Sequence, residues 1–141
     1  AGSNVQIVDI RTDDTDPVRA QKNAEDTLVK YPDIGCLVGL WNYNGPAIFN
    51  AVRNAGKIGQ VKIVCFDDEA DTLSGIASGA IYGTVVQNPF EFGKEAVTMM
   101  DKYLGGDTNV FGGGKIYIPT REIKKDDVAA YQAEQKKILG Q

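Results

Sequence analysis

The sequence predicts an α/β fold, a flavodoxin-like doubly wound parallel sheet, and three observations carry that prediction. Stretches rich in β-branched residues alternate with amphipathic stretches of helix length along the chain, the pattern of strands joined by right-handed helical crossovers. Residues 61–66 (VKIVCF) are apolar except for Lys62, as expected of a strand buried on both faces. Polar and aromatic residues follow the expected strands, whereas the opposite ends carry turn formers such as Pro32, Gly56 and Gly79. In open α/β sheets, ligands bind beyond the carboxyl ends of the strands.

Residues 5–10 (VQIVDI) form the expected first strand. Asp16 and Pro17 then supply an N-cap and a proline at the first helical position. That helix runs to Lys30 with Ala20, Ala24, Thr27 and Leu28 inward, and Tyr31-Pro32 stops it. Residues 36–40 (CLVGL) make the second strand. Ile48, Ala51, Val52 and Ala55 recur at helical spacing, and Gly56 sits where a left-handed C-cap is wanted. The third strand, 61–66, runs into Asp67-Asp68. A short helix follows, with Leu73, Ile76 and Ala77 inward and Gly79 closing it.

Residues 81–86 form the fourth expected strand. Asn88-Pro89-Phe90-Glu91 combines a cap, a proline and an acidic third residue at the next helix start. Phe92, Ala96, Met99, Met100 and Tyr103 are that helix's expected buried stripe. The glycines at 112–114 mark a loop. A phosphate cradle would want a strand before it, a helix after it and a Lys-Ser/Thr pair. Residues 116–118 (IYI) are the expected fifth strand, ended by Pro119. Residues 126–139 make the last helix, charged and exposed along one side.

A chain of 141 residues, 43% hydrophobic and 24% charged, suffices for one domain with its own core. A net charge of −4 opposes a nucleic-acid surface, which needs a basic stripe. No apolar run approaches the roughly 20 residues that cross a bilayer, so membrane insertion is not expected. Histidine is absent, which removes Ser-His-Asp and Cys-His nucleophilic sites and most zinc sites. An enzyme is therefore not expected, and neither a catalytic residue, a metal nor a cofactor. Cys36 and Cys65 fall at opposite ends of neighbouring expected strands and read as buried free thiols.

Functional groups gather at the carboxyl ends of the strands. Arg11, Thr12 and Asp13 follow the first, Trp41, Asn42, Tyr43 and Asn44 the second, Asp67 and Asp68 the third, and Gln87 and Asn88 the fourth. Amides, a carboxylate and an indole are the set needed to hold a neutral polyol. The polar groups exchange hydrogen bonds with hydroxyls, and the aromatic face covers ring C–H groups. Asn44, Asn88 and Asp68 are expected to act as helix N-caps. Asp67 and Gln87 precede the cap positions and so point into the crevice, and Trp41, directly at a strand end, is expected to contact ligand.

Val-Cys-Phe-Asp at 64–67, Val-Gln-Asn-Pro at 86–89 with Phe92-Gly93 beyond, Tyr31-Pro32-Asp33 and Asn-Ala-Gly at 54–56 together resemble the ribose-type periplasmic sugar-binding proteins of ABC transporters, the type I periplasmic binding proteins. In these, a strand ending Phe-Asp and a later strand ending Gln-x-Pro each supply a sugar ligand. The resemblance implies sugar contacts for Asp67 and Gln87, with Phe66 beside them. It makes residues 1–141 a partial C-terminal lobe of a two-lobe protein, lacking that lobe's first strand and helix. It further implies a monosaccharide held in the interlobe cleft, hinge closure, an ABC permease as partner, and a periplasmic or extracellular location, free or lipid-anchored. The family commonly has Asn-Asp after the second strand, where this chain has Trp41-Asn42, which points to stacking on the sugar ring.

The effector-sensing core of a LacI-type repressor is the alternative within this fold. A response-regulator receiver would want a strand-end lysine that is not found near the fourth or fifth strand. A two-carboxylate glycosidase would need its acids to flank one bond, whereas adjacent Asp67 and Asp68 point apart. Without its central strand, the fragment is expected either to pair its first and second strands directly or to associate as a homodimer.

Overall fold

The computed structural model describes residues 4–110, 112 and 114–140, so Gly113 of the expected glycine loop lies outside them. Helix α1 (Pro17–Lys30) starts on its expected cap. The Asp16 carboxylate accepts hydrogen bonds from the Val18 and Arg19 N–H groups, which a helix start otherwise leaves without partners. Ala20, Ala24, Thr27 and Leu28 are buried, and α1 packs on helix α2 (Asn44–Asn54).

The sheet holds four strands in the order β1 (Cys36–Val38), β2 (Lys62–Phe66), β3 (Gly83–Val86) and β4 (Arg121–Ile123). The first three run parallel, with Val38 beside Val64 and Val64 beside Gly83. Helix α3 (Ala70–Ser78) joins β2 to β3 and ends on Gly79 at φ 83°, the left-handed cap the sequence predicts. After β3 come helix α4 (Pro89–Leu104), then β4, a 3-10 turn over Lys125–Asp127 and helix α5 (Val128–Ile138).

One face of the sheet is dry. Ile63, Cys65, Thr84 and Ile123 lie on it and are buried, with Val52 of α2 and Ile76 of α3 in the same core. Each fully enclosed aliphatic side chain there contributes about 1.5–3 kcal/mol. The other face is more open. Val38 is 56% exposed, and Val64, Phe66 and Val85 are half-buried.

Several expectations are corrected. Residues 5–10 form no strand, and Val5, Ile7 and Ile10 are exposed. A strand is defined by its ladder, and no neighbouring strand lies within reach of these residues. They are instead tethered beside α1, where Lys30 pairs with Asp9 and the Tyr31 hydroxyl donates to the Val8 carbonyl. The first two expected strands therefore do not pair directly. Among the described residues nothing pairs with the outer edge of β1, which leaves that edge open to association.

Residues 116–118 form no strand either. The last strand lies beyond Pro119, at Arg121–Ile123, and is antiparallel to β3. A parallel fifth strand needs the intervening helix to pack back along the sheet. Helix α4 does not do so, because none of its residues is buried. The expected stripe of Phe92, Ala96, Met99, Met100 and Tyr103 therefore faces no core among the described residues. Cys36 is exposed and Cys65 buried, both free. Cys36 sits on the edge strand, whereas burial, with the neighbouring Cys36 adding, pushes the Cys65 thiol up to about 12.

Candidate functional site

Asp67 stands one residue past β2 in the left-handed region, at φ 64°. A non-glycine residue there is held at a cost of about 1–2 kcal/mol, and two hydrogen bonds to β3 hold it. The Asp67 N–H donates to the Val85 carbonyl at 2.9 Å, and the Thr84 hydroxyl donates to the Asp67 carbonyl at 2.7 Å. The turn aims the carboxylate across the sheet edge, where the Gln87 side-chain amide donates to Asp67 Oδ1 at 3.0 Å. One carboxylate oxygen and the amide carbonyl of Gln87 stay available as acceptors, a fixed pair suited to neighbouring hydroxyls.

This pair belongs to a crevice of about 480 Å³ lined by Asn42, Asp67, Asp68, Glu69, Ala70, Gln87, Pro89 and Phe92. Asn42, Asp67 and Gln87 thus come together as the sequence predicts. Phe66 and Trp41 do not line it. Phe66 is half-buried at the end of β2, and Trp41 stands 61% exposed on the same sheet edge. Phe92, expected in a buried helix stripe, lines the crevice instead. Its position four residues after the Asn88 cap is the signal for its true place, because helix side chains lean towards the N-terminal end.

The expected caps divide. Asn88 caps α4 by accepting from the Glu91 N–H. Asp68 does not cap α3, whose N-cap is Glu69 without a side-chain bond, because its carboxylate is taken by the Tyr131 hydroxyl at 2.6 Å. Asn44 does not cap α2 but opens it. Its side-chain oxygen accepts from the N–H groups of Leu40 and Trp41, and its amide donates to Asp13 at 2.8 Å. Asp13 also accepts from the Tyr43 hydroxyl at 2.7 Å and from the Thr15 N–H. The loop carrying Trp41 and Asn42 is therefore pinned through Asp13.

Desolvation pulls the Asp13 carboxyl upward, but the hydrogen bonds from Tyr43, Asn44 and Thr15 outweigh it and hold it below its ordinary value of 3.8. A depressed carboxyl stabilises the fold fully above its unfolded value and loses that contribution as pH falls through the folded one. Urea midpoints measured downward from about pH 5 should therefore fall more steeply for the unaltered chain than for Asp13→Asn. Parallel pH dependences would remove Asp13 as the anchor of this loop.

A smaller hollow of about 270 Å³ lies at the opposite sheet edge, beside Lys62, Tyr82, Lys124 and Lys125. Two of its cations are already engaged: Lys62 and Lys124 lie over the Tyr82 ring, and Lys124 pairs with Glu122. It offers no paired planar acceptors. Among the described residues no group of acidic, cysteine or histidine side chains is arranged to hold a metal. No helix among them is long and apolar enough to cross a membrane.

The sequence pattern described as the periplasmic binding protein domain matches residues 1–108. The D-allose-binding periplasmic protein of Escherichia coli K12 is 28% identical over 98 residues, which are 70% of this chain and 32% of that protein. Among solved structures, a chain of the XylFII-LytSN complex superposes with a TM-score of 0.75 at 33% identity, covering 89% of this chain and 43% of that one. An ABC transporter solute-binding protein from Agrobacterium vitis, bound with alpha-D-tagatopyranose, shares the fold with a TM-score of 0.80 at 24% identity, over 92% of this chain and 43% of its own. The chain thus spans about a third of the curated relative and under half of the two structures.

Proposed function

This chain belongs to the periplasmic binding protein domain family, and from that premise we propose that it is the C-terminal sugar-binding lobe of the substrate-binding component of an ABC sugar importer. The observation that carries the reading is the Asp67–Gln87 pair, two planar groups joined at 3.0 Å in a crevice at the carboxyl edge of the sheet. In the proposed mechanism a neutral monosaccharide places hydroxyls on Asp67, Gln87 and Asn42, with Phe92 against its C–H face and Trp41 closing over it from the loop rim. A second lobe supplies the remaining contacts. Ligand bound to both lobes favours the closed state by its differential affinity, and a permease recognises that state. No bond is made or broken. The site of action is periplasmic or extracellular.

Helix α4 supports the two-lobe reading. It exposes Phe90, Val97, Met100 and Leu104 and buries nothing, an apolar stripe suited to packing on a second body. The relative named as a D-allose-binding periplasmic protein favours import over a repressor core. Calorimetric titration of the intact protein with D-allose, D-tagatose and other neutral pentoses and hexoses tests the proposal, and micromolar or tighter binding of at least one is expected. Trp41 is this chain's single tryptophan, so with other tryptophans removed its emission should shift on saturation. An unchanged spectrum would take Trp41 out of the site.

A further inference from the structure

Asp67 and Asp68 are adjacent, chemically equivalent carboxylates, and something must decide which one is offered to ligand. Asp68, exposed at the same crevice, has one carboxylate oxygen held by a contact from 63 residues away, the Tyr131 hydroxyl on α5. Tyr131 is 4% exposed, and its ring lies under the Arg121 guanidinium at 5.0 Å, which fixes its direction. With Asp68 held on one side and the Asp67 backbone clamped by Thr84 and Val85 on the other, the strained turn leaves the Asp67 carboxylate facing Gln87. We propose that Tyr131 is a positioning residue for sugar recognition, acting through Asp68 to hold the turn in which Asp67 is the ligand-facing acid. The inference rests on the sugar-binding reading above. Burial first, then the bond to Asp68, raise the Tyr131 hydroxyl well above its ordinary value, so it stays a donor throughout the physiological pH range.

The test is a double-mutant cycle in the intact protein, with dissociation constants read by calorimetry for the tightest-binding sugar of the neutral panel, D-allose being tried first. Tyr131→Phe keeps the ring and should weaken binding roughly three- to tenfold. In an Asp67→Ala background the same change should have no further effect on affinity, although its effect on the urea midpoint should persist. A merely structural role would shift the midpoint while leaving affinity alone, or weaken binding equally in both backgrounds, and either result overturns the proposal. Asp68→Ala removes the acceptor for Tyr131 and should weaken binding about as much as Tyr131→Phe, with no further loss when the two are combined. A loss as large as that of Asp67→Ala would make Asp68 itself the sugar ligand and overturn it as well. Absence of binding by the unaltered protein to every sugar of the panel would instead remove the sugar reading beneath it.

Discussion

Replacing Asp67 with alanine is expected to weaken sugar binding by roughly ten- to a hundredfold, because a charged hydrogen-bond partner is worth about 1.5–3 kcal/mol. The loss should exceed the single contact, since Gln87 would also lose the acceptor that orients its amide. Alanine tolerates φ 64° less well than aspartate or asparagine, so a small stability loss should accompany the change. Asp67→Asn separates the two effects. It retains the left-handed turn and removes the charge, and should still lose most of the affinity while the urea midpoint returns towards that of the unaltered protein. Titrations showing undiminished affinity for both variants would take Asp67 out of the site.

The second large effect is structural and lies just behind the crevice. Gly45, in the first turn of α2, is buried where that helix meets the sheet and α3. A Cβ there would run into Thr72 Oγ1 and approach Cys65 Sγ to 3.1 Å. Cys65 lies in β2 and Thr72 in α3, both fully enclosed, so neither has room to retreat. Gly45→Ala should destabilise the fold by about 1–3 kcal/mol, the usual cost of overpacking. Among the described residues the Thr72 hydroxyl has no hydrogen-bond partner, so trimming Thr72 to alanine in the same chain should recover part of the loss. A Gly45→Ala chain with an unchanged urea midpoint would contradict the close approach of α2 and α3 over β2.

Much of this molecule was legible in the sequence because it is decided locally. The Asp16-Pro17 and Asn88-Pro89 starts, the inward face of α1, the Ile48, Ala51 and Val52 face of α2 and the Gly79 stop follow from capping chemistry and periodicity and appear where expected, whereas Ala55 is exposed as the C-cap of α2. That Asp67, Gln87 and Asn42 line one crevice was legible because a strand end delivers whatever follows it to one edge of the sheet. What was not legible depends on partners the local sequence does not name. Residues 5–10 are as apolar as a strand, but a strand needs a neighbour. The stripe of α4 is as periodic as a core helix, yet periodicity does not say which body it faces. The fifth strand was misplaced because Ile116-Tyr117-Ile118 has the stronger β propensity, whereas pairing went to Arg121–Ile123, which puts Ile123 beside Thr84 in the core. Asn44 and Asp68 were read as caps, the common local use of their side chains, and long-range bonds to Asp13 and from Tyr131 took them instead.

The central claim is that the carboxyl edge of this sheet holds a neutral sugar through Asp67 and Gln87. A crystal structure of the intact protein grown with its tightest neutral monosaccharide tests it most directly. Sugar hydroxyls are expected at hydrogen-bond distance, about 2.6–3.1 Å, from the Asp67 carboxylate and the Gln87 amide, in the crevice bounded by Asn42 and Phe92. A sugar seated at the opposite edge beside Tyr82 and Lys124, or bound anywhere that leaves Asp67 and Gln87 in solvent, would contradict it.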